Sequence, residues 1–214
     1  MWIPKWLARN RPRTRDELHD YWRKPDRPNR PKAYLEGKER SEFLIDLMGR
    51  YATPMQTILE VGCNVGRNLA YLHRAGYREL SGIEINTAAV DQLRASYPEL
   101  AQATIHNASV EEVIPRLDPY DVVFTMAVLE HIHPDSDWIL EHIVRIAGDT
   151  LITIEDEVDS VGYRHFPRRY DEVFGALGMR QVEEVHCAAI VGLGPPFWAR
   201  VFQPATRSEP SQSG

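Results

Sequence analysis

Two carboxylates, two glycines and one histidine carry most of the chemical signal in this chain. Glu60 leads the run Ile58-Leu59-Glu60-Val61-Gly62-Cys63-Asn64-Val65-Gly66-Arg67-Asn68, in which Gly62 and Gly66 stand four residues apart. Glu84 follows a second apolar run, Leu80-Ser81-Gly82-Ile83, twenty-four residues after Glu60. A chain that turns through two glycines lets its backbone approach a ligand that any side chain would block. A carboxylate at the tip of the next strand is placed to accept hydrogen bonds from ribose hydroxyls. Together these features predict a nucleoside-cofactor site. The Glu-x-Gly-x-x-x-Gly spacing is looser than the loop that holds a pyrophosphate against a helix N-terminus, and Glu60 would repel a pyrophosphate while attracting an ammonium. Farther along, Glu130 and His131 follow a third apolar run. A histidine there could take a proton from a hydroxyl or amine, because its reference pKa lies near neutrality. It could equally hydrogen-bond the structure behind it and orient the loop.

S-adenosylmethionine (SAM) carries an ammonium and a sulfonium but no phosphate, which matches this charge pattern. With ILEVGCNVGRN as a first motif, GIEIN (82–86) as a second and VVFTMAVLEHI (122–132) after a fourth strand, the chain resembles the class I SAM-dependent methyltransferases from about Tyr34 to Phe202. The resemblance implies that Glu60, Gly62, Asn64 and Gly66 surround the methionine portion, with Cys63, Asn68 and Thr125 in the same cofactor set. It further implies that Glu84 takes the ribose, with Ile85 and Asn86 beside the adenine. Asn107 and Ala108 stand where many relatives place an aspartate for the adenine amine; Asn107 is a departure, although its amide oxygen can accept the same bond. The role of Arg67 stays open, pairing with a carboxylate being one possibility. His131, with Glu130, is the expected catalytic pair. Some relatives bind a divalent cation through Glu-x-x-Glu-His; here Ala127 replaces the first carboxylate, so no metal is expected.

These residues need elements to position them. Apolar periodicity predicts strands at 57–61, 79–84, 103–106, 120–126, 150–155, 180–187 and 197–203. Helices are predicted from Ala33 to Tyr51, at 66–75, 87–95 and 136–147, from Ser109, and over Arg168–Leu177 closed by Gly178. Strands and helices alternating in this way predict an α/β, doubly wound, mostly parallel seven-stranded sheet with helices on both faces. The resemblance implies an antiparallel last strand. Prolines 4, 12, 25, 28 and 31 exclude long helices before residue 34, apart from a short one over Thr14–Arg23 capped by Thr14 or Asp16. Tyr21 and Trp22 are expected to dock on the body.

The predicted division is a basic, proline-rich arm (1–33), a methyltransferase domain (34–203) and a disordered tail (204–214). Net charge is −6, yet residues 1–40 hold 12 Lys/Arg against 6 Asp/Glu while the rest holds 13 against 25. Such an arm could contact nucleic acid or an acidic substrate, or pack along the acidic body and roof the site, which is the reading favoured. The run Glu155-Asp156-Glu157, with Asp159, reads as a solvated loop or as a carboxylate meeting a cationic acceptor or the arm. His19 reads as a surface or packing residue. No run approaches the roughly 20 apolar residues of a membrane span. Two distant cysteines, Cys63 and Cys187, suit a reducing cytoplasm. The expectation is a cytoplasmic enzyme that methylates oxygen or nitrogen of a small molecule. The alternatives are an RNA or protein methyltransferase using the arm, and a non-catalytic SAM-binding protein.

Overall fold

The computed structural model describes residues 13–158 and 162–205. Strands β1 (Ile58–Val61), β2 (Leu80–Ile83), β3 (Thr104–His106), β4 (Tyr120–Met126), β5 (Ala147–Asp156), β6 (Met179–His186) and β7 (Phe197–Pro204) form one sheet. Its order is β3-β2-β1-β4-β5-β7-β6. The first five strands pair in parallel, and β7 lies antiparallel between β5 and β6. The doubly wound sheet and the antiparallel last strand are both as expected.

β1 reads ILEV with every residue buried, because helices cover both faces of a parallel sheet. On one face, Leu44, Met48, Leu69 and Phe124 pack together; on the other, Leu59, Ile139, Ile143 and Phe174 do. The helices are α1 (Arg15–Arg23), α2 (Lys38–Tyr51), α3 (Arg67–Arg74), α4 (Thr87–Ser96), α5 (Val110–Val113), α6 (Trp138–Ile146) and α7 (Tyr170–Ala176), and all but α1 contribute to these two clusters. The helix expected from Ala33 starts instead at Lys38. Pro31–Tyr34 makes a 3-10 turn, and Gly37 takes a left-handed φ of 91° that interrupts the helical path. α1 is capped as expected: Glu17 N donates to Thr14 Oγ1 while Glu17 Oε2 accepts from Thr14 N.

Strand order reverses between β1 and β4. A doubly wound sheet opens its ligand crevice at that point, beyond the carboxyl ends of the strands. Glu60, Glu84, Glu130 and Glu155 all lie at this edge.

The run Glu155-Asp156-Glu157 is not a solvated loop; all three residues are buried. Glu155 Oε2 accepts from the N–H groups of Val128 and Leu129 at 2.9 and 3.0 Å, which anchors the chain leaving β4. Glu157 is bound by Arg200 Nε and Nη2 at 2.7 and 2.9 Å, and Arg200 Nη1 also donates to Gln181 at 2.8 Å. Asp159, Trp2 and Trp6, the first twelve residues of the arm and residues 206–214 of the tail lie outside the described residues.

Arg200→Leu leaves Glu157 as a buried charge without its bidentate partner. Unfolding free energy measured by urea titration should fall by roughly 3–5 kcal/mol, and adding Glu157→Gln should recover much of the loss.

Candidate cofactor and acceptor site

β1 delivers Glu60 to the crevice, and the chain then turns through Gly62 and Gly66 with φ of 74° and 73°. A Cβ on Gly62 would lie 2.5 Å from Val128 Cγ2, so only glycine fits between this turn and the loop after β4. Glu60 is buried, and its Oε1 accepts from Asn68 Nδ2 at 2.8 Å. Asn68 Oδ1 accepts in turn from Ser41 Oγ at 2.7 Å, and Ser41 Oγ from Arg67 Nε at 2.9 Å. The other oxygen of Glu60 is buried without a hydrogen-bond partner. Burial pushes the Glu60 pKa up to about 8, against the opposing effect of Asn68.

β2 brings Glu84 to the same crevice. Its Oε2 accepts from Asn64 N at 2.8 Å and its Oε1 from Asn86 N at 2.7 Å, so two backbone segments hold the carboxylate. Burial still raises its pKa to about 7. Asn86 also caps α4, its Oδ1 accepting from Ala88 N at 3.0 Å.

At the end of β4 the chain makes a 3-10 turn over Leu129–His131. His131 Nδ1 lies 3.0 Å from the carbonyl oxygen of Arg164. A carbonyl can only accept, so Nδ1 carries the proton and Nε2 presents its lone pair to the crevice. Burial lowers the His131 pKa to about 4, and the ring is neutral near pH 7. Glu130 Oε2 accepts from Asp156 N at 2.6 Å and its Oε1 lies 3.8 Å from His131 Nε2, but the residue forms no part of the crevice wall. Burial and the adjacent Glu155 carboxylate raise the Glu130 pKa strongly, so it is the protonated member of the pair. Glu130, expected as a catalytic partner, lies as a buried acid beside the histidine.

The roof is α1 with the turns that follow it. Trp22 packs against the His131 ring with centroids 4.9 Å apart. His19 Nε2 meets Glu111 Oε1 at 3.0 Å, and Ser136 Oγ donates to the same oxygen at 2.9 Å. Arg13 N donates to Tyr163 O at 2.8 Å, and Arg164 hydrogen-bonds the Tyr21 hydroxyl. Tyr21 and Trp22 thus dock on the body, and His19, expected as a surface or packing residue, lies on the crevice wall.

The crevice measures about 1200 Å³ with the open solvent at its mouth included. Of the residues expected at the cofactor, Glu60, Gly62, Cys63, Asn64, Asn68, Glu84, Ile85, Asn86 and Ala108 line it. Gly66, Asn107 and Thr125 do not. Gly66 packs beneath the turn, where a Cβ would lie 2.5 Å from Leu93 Cγ. Asn107 is consumed locally, its Nδ2 donating to Glu84 O and its Oδ1 accepting from Thr87 Oγ1, both at 2.8 Å. Thr125 is buried beside Glu155. Among the described residues Arg67 pairs with no carboxylate; it donates to the carbonyls of Tyr34 and Glu36 at 3.0 and 2.7 Å, strapping the roof segment to α3. Sequence reasoning missed Arg40 and Glu111, which also line the crevice. Arg40 Nε and Glu111 Oε2 are buried without hydrogen-bond partners. Neither has a motif signal, because each is carried in by a helix whose approach is tertiary.

Residues 58–148 match the family model described as a methyltransferase domain. A tRNA U34 carboxymethyltransferase of Shewanella sp. (strain ANA-3) is 28% identical over 129 residues, 56% of this chain and 38% of that protein. The chain therefore spans well under half the length of that curated relative. Magnesium protoporphyrin IX methyltransferase from Synechocystis PCC 6803, solved with bound SAM, superposes with a TM-score of 0.65 at 16% identity, covering 88% of this chain and 94% of that one. A Burkholderia thailandensis 1,6-didemethyltoxoflavin-N1-methyltransferase gives a TM-score of 0.62 at 15% identity, covering 95% and 91%. Residues 58–148 thus carry a methyltransferase-domain match, and the fold is that of these solved methyltransferases. No helix among the described residues is long and apolar enough to cross a membrane.

A carboxyl whose pKa is raised on folding stabilises the protein fully only below its ordinary value, and that stability is lost as pH climbs through the raised one. Glu130→Gln keeps a neutral group there. Its melting temperature should decline less than wild type between about pH 5 and about pH 9, as read by scanning fluorimetry.

Proposed function

We propose that this protein transfers the methyl group of SAM to an oxygen or nitrogen atom of a small-molecule acceptor held beneath the α1 roof. The observation that carries the reading is the mismatch in the crevice: a buried Glu60 oxygen with no donor, facing the same space as a Glu84 already oriented by backbone. Buried polar atoms are normally paired, and an unpaired carboxylate oxygen calls for a cationic donor. The ammonium of SAM supplies one. Glu84 retains lone pairs for the ribose hydroxyls. Arg40, a desolvated guanidinium, suits the methionine carboxylate. Glu111, beside Ala108, replaces Asn107 as the acceptor for the adenine amine. When bound, SAM supplies an electrophilic methyl group on a sulfonium leaving group.

The protein's own contribution is alignment and water exclusion, with a base where the acceptor keeps its proton. His131 holds the tautomer required: Arg164 O fixes the Nδ1 proton, and Nε2 takes the acceptor's proton as the new bond to the methyl carbon forms. The domain division is retained in the proposal, with the described part of the arm acting as the roof. A small acceptor is favoured over RNA because roof arginines are engaged within the chain: Arg13 lies over Tyr21 and Tyr163, and Arg23 pairs with Asp20. The tRNA substrate named for the curated relatives belongs to proteins far longer than the matched region.

Two tests follow from the residues. Because Glu60 and Glu84 have raised pKa values, binding the cationic cofactor must expel protons, so affinity should rise from about pH 6 to about pH 9. Isothermal titration with SAM checks this, and Glu60→Gln should flatten the profile. His131→Ala should lower turnover by roughly 10²–10⁴-fold while SAM affinity is unchanged; unaltered turnover would remove the base from the mechanism.

A further inference from the structure

The roof contributes more than cover. Trp22 lines the crevice, and its indole Nε1–H is buried with no hydrogen-bond partner. An indole nitrogen can only donate. Next to it stands His131, whose Nδ1–H is committed to Arg164 O at 3.0 Å and whose Nε2 can only accept. Glu130 Oε1 lies 3.8 Å from Nε2, beyond hydrogen-bond distance. One wall of the crevice thus offers an unused donor and an unused acceptor on two rings packed 4.9 Å apart.

We propose that α1 supplies the acceptor-reading wall of this site, with Trp22 and His131 jointly recognising a hydroxyl carried on a small planar ring. The proposal rests on the methyltransferase reading above and names its substrate class. A hydroxyl is the group that satisfies both partners, accepting from the indole N–H and donating to the imidazole. A carboxylate only accepts, and an ammonium only donates. Planarity follows from the surroundings, since Trp22 presents an aromatic ring beside Pro25, Leu18 and Ile132. Small size follows from the roof's attachments: the Arg13–Tyr163 backbone bond, the Arg164–Tyr21 contact and the His19–Glu111 pair tie it down on two sides. The weak basicity of His131 points the same way. A base lowered to about 4 assists only an acceptor of some acidity, and a phenolic hydroxyl, near 10, is far more acidic than an aliphatic one.

The experiment compares hydroxyarenes with their own methyl ethers. Phenol, catechol and 2-naphthol, each paired with its ether, are titrated into the protein saturated with S-adenosylhomocysteine, and binding is followed by isothermal titration. Cofactor affinity is measured in parallel. Wild type should bind the hydroxyarenes roughly tenfold or more tighter than the ethers. Trp22→Phe, which keeps a ring and loses the N–H, should erase that preference while S-adenosylhomocysteine affinity stays unchanged. A merely structural Trp22 would weaken both ligands of each pair alike, which overturns the proposal. So does cofactor binding with no hydroxyarene preference, an outcome that leaves the methyltransferase reading standing. Failure to bind either SAM or S-adenosylhomocysteine would bring down both.

Discussion

Burying carboxylates at the carboxyl edge of a parallel sheet is the constraint around which this molecule is built. Glu60 and Glu84 stand at the tips of neighbouring strands β1 and β2, both withdrawn from water. Desolvating a carboxylate is expensive unless hydrogen bonds or charges compensate. The compensation here is partial and directional. Glu84 is met on both oxygens by backbone amides, whereas Glu60 is met on one and left open on the other. In the proposed reading, that asymmetry turns a structural cost into a preference for a cationic donor.

The supports of Glu60 reach deep into the fold. Asn68 at the start of α3, Ser41 on α2 and Arg67 form one hydrogen-bonded chain, and Arg67 continues it to the carbonyls of Tyr34 and Glu36. A single buried network therefore fixes the carboxylate and also the segment that leads into the roof. Cofactor and acceptor sides share that scaffold. Apart from the open Glu60 oxygen, this buried network is hydrogen-bonded throughout, which makes it rigid.

The second carboxylate pair does a different job. Glu130 and Glu155 lie together behind the crevice, with Glu130 protonated and Glu155 gathering the amides of the chain leaving β4. This places Ala127 at a positive φ of 56° and turns His131 outward beneath Trp22. Of two adjacent residues of one sequence motif, His131 thus lines the crevice and Glu130 does not.

The sequence by itself determined the sheet, because uninterrupted apolar runs, two glycines at loop spacing and helix caps are local signals tied to backbone geometry. It also placed Glu60 and Glu84 at one edge of that sheet, since both sit at fixed positions relative to their strands. Only the tertiary structure decided which groups complete the site. Asn107 has the right composition for an adenine contact, yet Thr87 and Glu84 O take its amide; Glu111 has no motif, yet α1 and His19 set it on the wall. Glu130 and His131 are adjacent in the chain and could not be assigned separate directions until Asp156 and Arg164 were seen to claim them. The physical reason is common to all of these. A side chain's chemistry is written in its type, but its availability depends on which partners, distant in sequence, have already used its hydrogen bonds.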